Sequence, residues 1–335
     1  MTLHSPPNAL RIATIDMHTG GEPLRIVTDG LPPLQGRTVL EKRRFFREHL
    51  DHLRTGLMLE PRGHADMYGA VLTPSVDADF DVFFLHNEGY STMCGHAIIA
   101  LTKYVIEAGL TERSDVSFNV PAGRIEAHAH RDAAGRILHT SFRNVPSFVY
   151  RRDEELRVDG LGNVRFDIAY GGAFYAFVDA HTVGVNLRVA DYAGLIDAGR
   201  RIKQAVMAAM PIEHPFERDL SFLYGTIFIG PPEDQQHHSR NVCIFADGEV
   251  DRSPTGSGVS ARAAIHHARG ELAANETITI ESILGSTMTV RVAAASKYGP
   301  YDAVIPEVAG TAHFTGRHEF WFDPDDPLRS GFILR

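Results

Sequence analysis

Apolar residues along the chain fall mostly in short continuous or alternating runs, the pattern of strands joined by tight turns. Arg11-Ile12-Ala13-Thr14-Ile15 and Leu24-Arg25-Ile26-Val27 are β-type runs separated by a segment containing Gly20-Gly21-Glu22-Pro23. Further runs occupy residues 70–73 and 80–85. Residues 41–54 follow a helical period instead, with Phe45, Phe46, Leu50 and Leu53 near one face, and predict a helix. Short strands, a helix and Gly-rich turns predict an α+β layout; the regular strand–helix alternation of a doubly wound sheet is not seen.

The pattern also repeats internally. Thr92-Met93-Cys94-Gly95-His96 runs into AIIALTKYVIEAGL, and Ser253-Pro254-Thr255-Gly256-Ser257 runs into GVSARAAIHHARGEL. In each copy a polar residue precedes Gly and opens a helix, and a Gly closes it 15 positions later (94 to 109, 255 to 270). A β-like run and a second turn glycine follow, at Gly123 and Gly285. The first repeat helix is apolar on several faces (Ala97, Ile98, Ile99, Ala100, Leu101, Val105, Ile106), as in a helix wrapped by other structure. The second is rich in small residues (Ala261, Ala263, Ala264, Ala268), which lets strands approach closely. Each half reads as a curved sheet around its own helix. The two helix N-termini then face one another across an interdomain cleft, a common place for small-molecule sites.

Composition narrows the function. The chain has 335 residues, enough for two domains and a sizeable core, and is 44% hydrophobic and 22% charged, which fits an ordinary globular protein. Its net charge of −9 gives no basic surplus for a nucleic-acid backbone. No basic segment followed by an apolar core opens the chain, and no window reaches the length of a membrane span. The two cysteines, Cys94 and Cys243, cannot build a disulfide framework, so a soluble cytoplasmic protein is expected and the sequon at Asn275 is a chance match. The adjacent pairs His237-His238 and His266-His267 lack further ligands at a recognisable spacing, and no metal is expected. Gly256-Ser257-Gly258-Val259-Ser260-Ala261 matches a dinucleotide pattern but is set aside, because no clear βαβ unit surrounds it.

Cys94 carries the sharpest chemical signal. At a helix start, unpaired backbone N–H groups and the macrodipole stabilise a thiolate and lower the thiol pKa toward neutrality. The same groups make an anion site. A buried cysteine acting as a small hydrophobe is the alternative, and the polar Thr-Met-Cys-Gly-His turn favours the functional reading; Cys243, inside a strand-like run, reads as structural. Thr255 occupies the equivalent position in the second copy and also fits a plain N-cap. Gly95, His96, Gly256 and Ser257 offer N–H groups to a carboxylate. Asp251 suits a substrate ammonium or imino nitrogen, or equally an Asx-turn or a pair with Arg252. A Cys94–His96 hydrolase dyad is disfavoured, because such dyads come from distant segments.

At these residues the chain resembles the proline racemase family. The resemblance rests on Met93-Cys94-Gly95-His96 and Asp251-Arg252-Ser253-Pro254-Thr255-Gly256, supported by the runs at 16–23, 62–69 and the tail from 315, and it spans nearly the whole chain. It implies a diaminopimelate epimerase-like fold: two pseudo-symmetric lobes, each a barrel-like sheet around a central helix. Residues 1–122 with about 306–335 would form the first lobe, carrying Cys94. Residues about 123–305 would form the second, carrying Asp251 and Thr255, with the site between them. It further implies a cofactor-independent homodimer acting on a small imino acid. Family racemases and epimerases place a cysteine at both helix starts; here Thr255 replaces the second. That loop, with Phe222-Leu223-Tyr224-Gly225-Thr226, resembles the trans-3-hydroxy-L-proline dehydratase branch, whereas epimerases tend to carry a histidine close to 225. The resemblance makes Cys94 the base and Thr255 a partner of the leaving hydroxyl or of the carboxylate. Tyr68 and Phe245 are candidates for an apolar wall. Proline racemase or hydroxyproline 2-epimerase is the alternative, and a non-catalytic amino-acid binder a more distant one.

Overall fold

The computed structural model describes residues 5–334. The first four residues, part of the opening segment read above as lacking a leader, and Arg335 lie outside the described residues. β1 (Leu10–Thr19) and β2 (Glu22–Asp29) form a hairpin about Gly20 and Gly21, whose φ angles of 60° and 93° suit glycine. α1 (Val39–His49) and α2 (Asp51–Met58) cross to β3 (Tyr68–Pro74), parallel to β2, and β4 (Phe80–His86) returns beside it. After β5 (Tyr90–Ser91), α3 (Gly95–Glu107) leads to β6 (Asp115–Val120), parallel to β4, followed by the antiparallel β7 (Gly123–Arg131) and β8 (Ile137–Arg143).

The second half repeats this order. β9 (Ser147–Val158), β10 (Gly162–Tyr170) and β11 (Phe174–Asp179) run antiparallel, and α4 (Tyr192–Ala209) crosses to β12 (Leu223–Gly230), parallel to β11. β13 (Ser239–Phe245) returns beside β12. After β14 (Glu249–Val250), α5 (Gly256–Ala268) leads to β15 (Thr277–Glu281), parallel to β13. β16 (Thr287–Tyr298) and β17 (Tyr301–Gly310) follow, and Ala303 and Val304 of β17 pair with β9, closing a barrel around α5. Residues 307–310 of β17 pair instead with β8, and β18 (Ala312–Phe322) pairs with β1. The α+β architecture of two pseudo-symmetric lobes, each wrapped around its own helix, is the one expected.

Several local expectations change. Residues 41–54 are not one helix: the backbone breaks at Leu50 (φ −126°, ψ 12°), so that α1 and α2 each lay an apolar side on the sheet through Phe46, Leu53, Leu57 and Met58. The division expected near residue 122 falls inside the first sheet, because β7 and β8 continue it from β6 and pack on α3. The passage to the second lobe comes after β8. A parallel crossover, β13 to α5 to β15, does surround the Gly256–Ala261 run. The α5 N-terminus nonetheless abuts α3, leaving no room there for a dinucleotide.

The continuous apolar run in β4 is explained by burial on both faces. Val82 and Phe84 point to the core around α3, whereas Phe83 and Leu85 point outward beneath α1 and α2. In the second lobe α4 covers the outer face of β12 and β13, and Gly199 fits there because a Cβ would strike Ile244. α3 and α5 are buried along most of their length, and among their residues Gly95 and Gly256 touch directly. A Cβ on Gly95 would lie 2.7 Å from Gly256 Cα, and one on Gly256 2.8 Å from Gly95 Cα. Gly256→Ala therefore forces a methyl group between two backbones. Such overpacking costs about 1–3 kcal/mol, so denaturant titration should show a lowered unfolding midpoint; an unchanged midpoint would refute the contact.

Candidate active site

The glycine contact brings the two repeat loops onto one cavity of about 290 Å³. Glu22, Tyr68, Met93, Cys94, Gly95 and His96 line it from the first lobe; Tyr175, Tyr224, Cys243, Phe245, Asp251, Thr255, Gly256 and Ser257 line it from the second. All the expected site residues thus meet in one place. A larger open cleft on the outer surface, about 840 Å³, includes His214, whose Nδ1 accepts from the Phe216 and Glu217 N–H groups and whose ring is therefore occupied structurally. Among the described residues no cluster of His, Cys, Asp and Glu could hold a metal, and no helix is long and apolar enough to cross a membrane.

Cys94 is the N-cap residue of α3 and Thr255 that of α5. The loop before Cys94 is fixed by Ser91 Oγ donating to the Met93 carbonyl (2.8 Å) and Thr92 Oγ1 donating to the Gly172 carbonyl (2.5 Å). Neither N-cap side chain makes a capping hydrogen bond, whereas the exterior α1 carries a full Thr38–Glu41 capping box. First-turn N–H groups of an α-helix have no intrahelical acceptor. Those of Gly95, His96, Gly256 and Ser257 consequently converge as donors, with both macrodipoles favouring an anion.

Thr255 is not a plain N-cap. Its φ of +68° is left-handed, a conformation costing about 1–3 kcal/mol in a residue other than glycine. A normal N-cap has extended backbone and aims its oxygen at the helix N–H groups. Here the loop is held another way: Asp251 Oδ1 accepts from Ser253 N–H (2.7 Å), and Ser253 Oγ accepts from Thr255 N–H (3.1 Å). The Thr255 hydroxyl is buried without a hydrogen bond, within electrostatic reach of Asp251 and Cys243. Asp251 thus makes the Asx-turn and lines the cavity at once, while Arg252 pairs with Asp66 (2.9 Å) and not with Asp251.

Burial governs the electrostatics. The Cys94 thiol is pushed well up, not down toward neutrality as the helix start alone suggested: loss of water outweighs the N–H of Ala97, and the Asp251 and Glu22 carboxyls add like charge. The His96 ring, read from sequence only as a source of a backbone N–H, lies against the thiol, with Nδ1 3.1 Å from Sγ, and burial lowers its pKa to about 3. Asp251 is raised to about 6 by burial, opposed by the Ser253 N–H bond and by the nearby Thr255 hydroxyl. Glu22 is raised further, by burial and then by Asp251.

Cys243 is not merely a strand residue of the core: it is buried on β13 and lines the cavity near Thr255. Tyr68 and Phe245 do form part of the wall, 6.2 Å apart. Sequence reasoning missed Glu22, Met93, Tyr175 and Tyr224. Tyr175 Oη lies 2.7 Å from Ser257 Oγ, and Tyr224 stacks on Phe245. Position 225 has no space for a side chain, since a Cβ on Gly225 would lie 2.5 Å from the Ile244 carbonyl.

The profile of the proline racemase family matches residues 14–333. A trans-3-hydroxy-L-proline dehydratase from Colwellia psychrerythraea is 52% identical, covering 97% of this chain and 93% of that one. The dehydratase of that name from Homo sapiens is 46% identical over 99% and 97% of the two chains. Among solved structures, a hydroxyproline epimerase from Agrobacterium vitis with bound trans-4-hydroxy-L-proline superposes with a TM-score of 0.92 at 29% identity, covering 99% and 96% of the chains. A PhzF-family protein from Bacillus anthracis, at a TM-score of 0.60 and 13% identity, shares the fold.

A reaction that uses the Asp251 carboxylate has a defined pH dependence. A raised pKa leaves the group neutral below about 6 and charged above it. kcat/KM should therefore rise with pH between about 5 and 7, and Asp251→Asn should erase that limb. A flat profile across this range in the unmodified protein would show that the carboxylate is not used.

Proposed function

Because the chain belongs to the proline racemase family, we propose that it is a hydro-lyase that dehydrates trans-3-hydroxy-L-proline to Δ1-pyrroline-2-carboxylate. The observation that carries the reading is the unequal pair at the two facing helix starts, Cys94 on one side of the cavity and Thr255 on the other. A thiol and an alcohol differ by several pKa units, so only one of the two helix starts holds a usable base.

The substrate carboxylate sits among the N–H groups of Gly95, His96, Gly256 and Ser257, and its protonated ring nitrogen lies by Asp251. A cation beside Asp251 offsets the like charge that holds the Cys94 thiol up, and favours the thiolate at the moment substrate is bound. Cys94 then removes the α-proton, and the N–H cradle stabilises charge spreading into the carboxylate. With no thiol at the facing helix start to return a proton, the C3–O bond breaks and a C2=C3 enamine forms. Transfer of a proton from nitrogen to C3 gives the imine. Tyr68, Phe245 and Tyr224 shield the ring from water. Base, anion site and cation site are all side chains or backbone of this chain, and the reading calls for no cofactor.

Incubation with L-proline, trans-4-hydroxy-L-proline and trans-3-hydroxy-L-proline tests the proposal. Imine should form from the 3-hydroxy substrate alone; rapid inversion of proline without imine formation would replace the lyase reading by a racemase. Cys94→Ser should lose about 100-fold or more of the turnover with an unchanged circular dichroism spectrum, an outcome a passive binding protein would not give. Thr255→Cys places a thiol at the second helix start and should gain α-epimerisation of L-proline, detected as D-proline by chiral chromatography. No gain, with Cys94 still reactive, would count against the two-sided geometry.

A further inference from the structure

The departing hydroxyl needs a proton, and substrate stereochemistry restricts where it comes from. In trans-3-hydroxy-L-proline the hydroxyl and the carboxylate lie on opposite faces of the ring, so the hydroxyl shares a face with the α-hydrogen. If Cys94 takes that hydrogen, the hydroxyl departs on the Cys94 side. The donor therefore belongs to the first-lobe wall: Glu22, Tyr68, Met93, Cys94, Gly95 and His96. Thr255, Cys243 and Tyr224 line the cavity from the second lobe, opposite the Cys94 loop in the chain's two-lobe arrangement.

Within that wall the choice narrows. Met93 and Gly95 have no acidic side chain. His96 is neutral and its ring is engaged with the Cys94 sulfur. Tyr68 is made a weaker acid by burial. Glu22 is fully buried; its Oε2 accepts the Arg252 N–H at 2.7 Å, and its Oε1 has no partner. A buried carboxyl oxygen without a partner is costly unless the group is protonated or a ligand completes it. Burial and the neighbouring Asp251 carboxylate both favour the protonated form.

We infer that Glu22 is the general acid that protonates the 3-hydroxyl as it leaves. The inference rests on the dehydratase reading above. The α C–H bond breaks as the S–H bond of Cys94 forms; the carbanion pair becomes the C2=C3 bond as C3–O breaks; the oxygen leaves as water with the Glu22 proton. Glu22 carboxylate and Cys94 thiol return to their starting states by proton exchange with solvent when the product departs. The Arg252 N–H, from the second lobe, holds Glu22 by its Oε2 and leaves Oε1 free to act.

Fluoride leaves without protonation, which separates an acid from a structural group. Rates of elimination from trans-3-hydroxy-L-proline and trans-3-fluoro-L-proline are measured for the unmodified protein, Glu22→Gln and Glu22→Asp. Glu22→Gln should lose about 100-fold or more on the hydroxy substrate and retain fluoride release within a few-fold. The ratio of the two rates does not depend on how much of a variant folds. In Glu22→Asp, which keeps a carboxyl, the ratio should stay nearer that of the unmodified protein. Equal losses on both substrates would make Glu22 a positioning residue and overturn the inference, and so would an unchanged hydroxy rate, which would assign the proton to the Cys94 thiol. Absence of imine from the hydroxy substrate with the unmodified protein would instead remove the dehydratase reading itself.

Discussion

Two glycines in contact set the geometry on which everything else depends. With Gly95 and Gly256 each excluding a Cβ from the other, the first turns of α3 and α5 meet backbone to backbone. Helix N-termini repel one another electrostatically when aimed at a common point, because both present partial positive charge. An anion between them removes that repulsion, so the contact is best satisfied when a carboxylate is bound. The absence of side-chain caps on both helices follows the same logic: a hydroxyl or carboxylate bonded to those N–H groups would occupy the place the ligand needs.

Burial then sorts the remaining groups by charge. The cavity holds two carboxyls, two thiols and three phenols, and loss of water alone pushes Cys94, Cys243, Glu22, Asp251 and the three tyrosines toward their neutral forms. Asp251 is held to about 6 in part by its bond from Ser253, whereas Glu22 is raised well above the ordinary carboxyl value by burial and by the field of Asp251. Two carboxyls in neighbouring but unequal surroundings are the arrangement that keeps one as an anion and the other as an acid. The cation binder and the proton donor are separated by environment, not by residue type.

Much of this was legible in the sequence because it is local. A helix apolar on several faces must be wrapped, and the 15-residue interval from Cys94 to Gly109 and from Thr255 to Gly270 marks two copies of one unit whatever surrounds them. What was not legible depends on tertiary placement. The break at Leu50 answers to the sheet beneath α1 and α2. The allegiance of β7 and β8 is decided by α3, which no reading of residues 123–143 reveals. Cys243 looks like any strand residue until β13 is laid beside the Asp251–Thr255 loop. Glu22 offered one usable signal, an acidic residue opening an apolar strand directly after a glycine turn. The direction of the Cys94 shift was misjudged for a related reason: the helix start is visible in sequence, but the depth of burial that outweighs it is not.

Thr255 shows how little backbone change separates two chemistries. A β-branched residue at φ +68° is strained, and its hydroxyl neither caps α5 nor finds any other bond. A threonine selected for helix capping would adopt extended backbone, and its oxygen would accept from a first-turn N–H. The strain is instead accepted by the Asp251–Ser253–Thr255 bonding pattern, which fixes the loop independently of the side chain at 255. The position therefore keeps a geometry suited to aiming a side chain across the cavity at the partner helix. With sulfur there, a second proton donor would face the α-carbon. With a hydroxyl there, the carbanion formed on the Cys94 side meets no thiol at the facing helix start, and bond breaking at C3 becomes the available way forward.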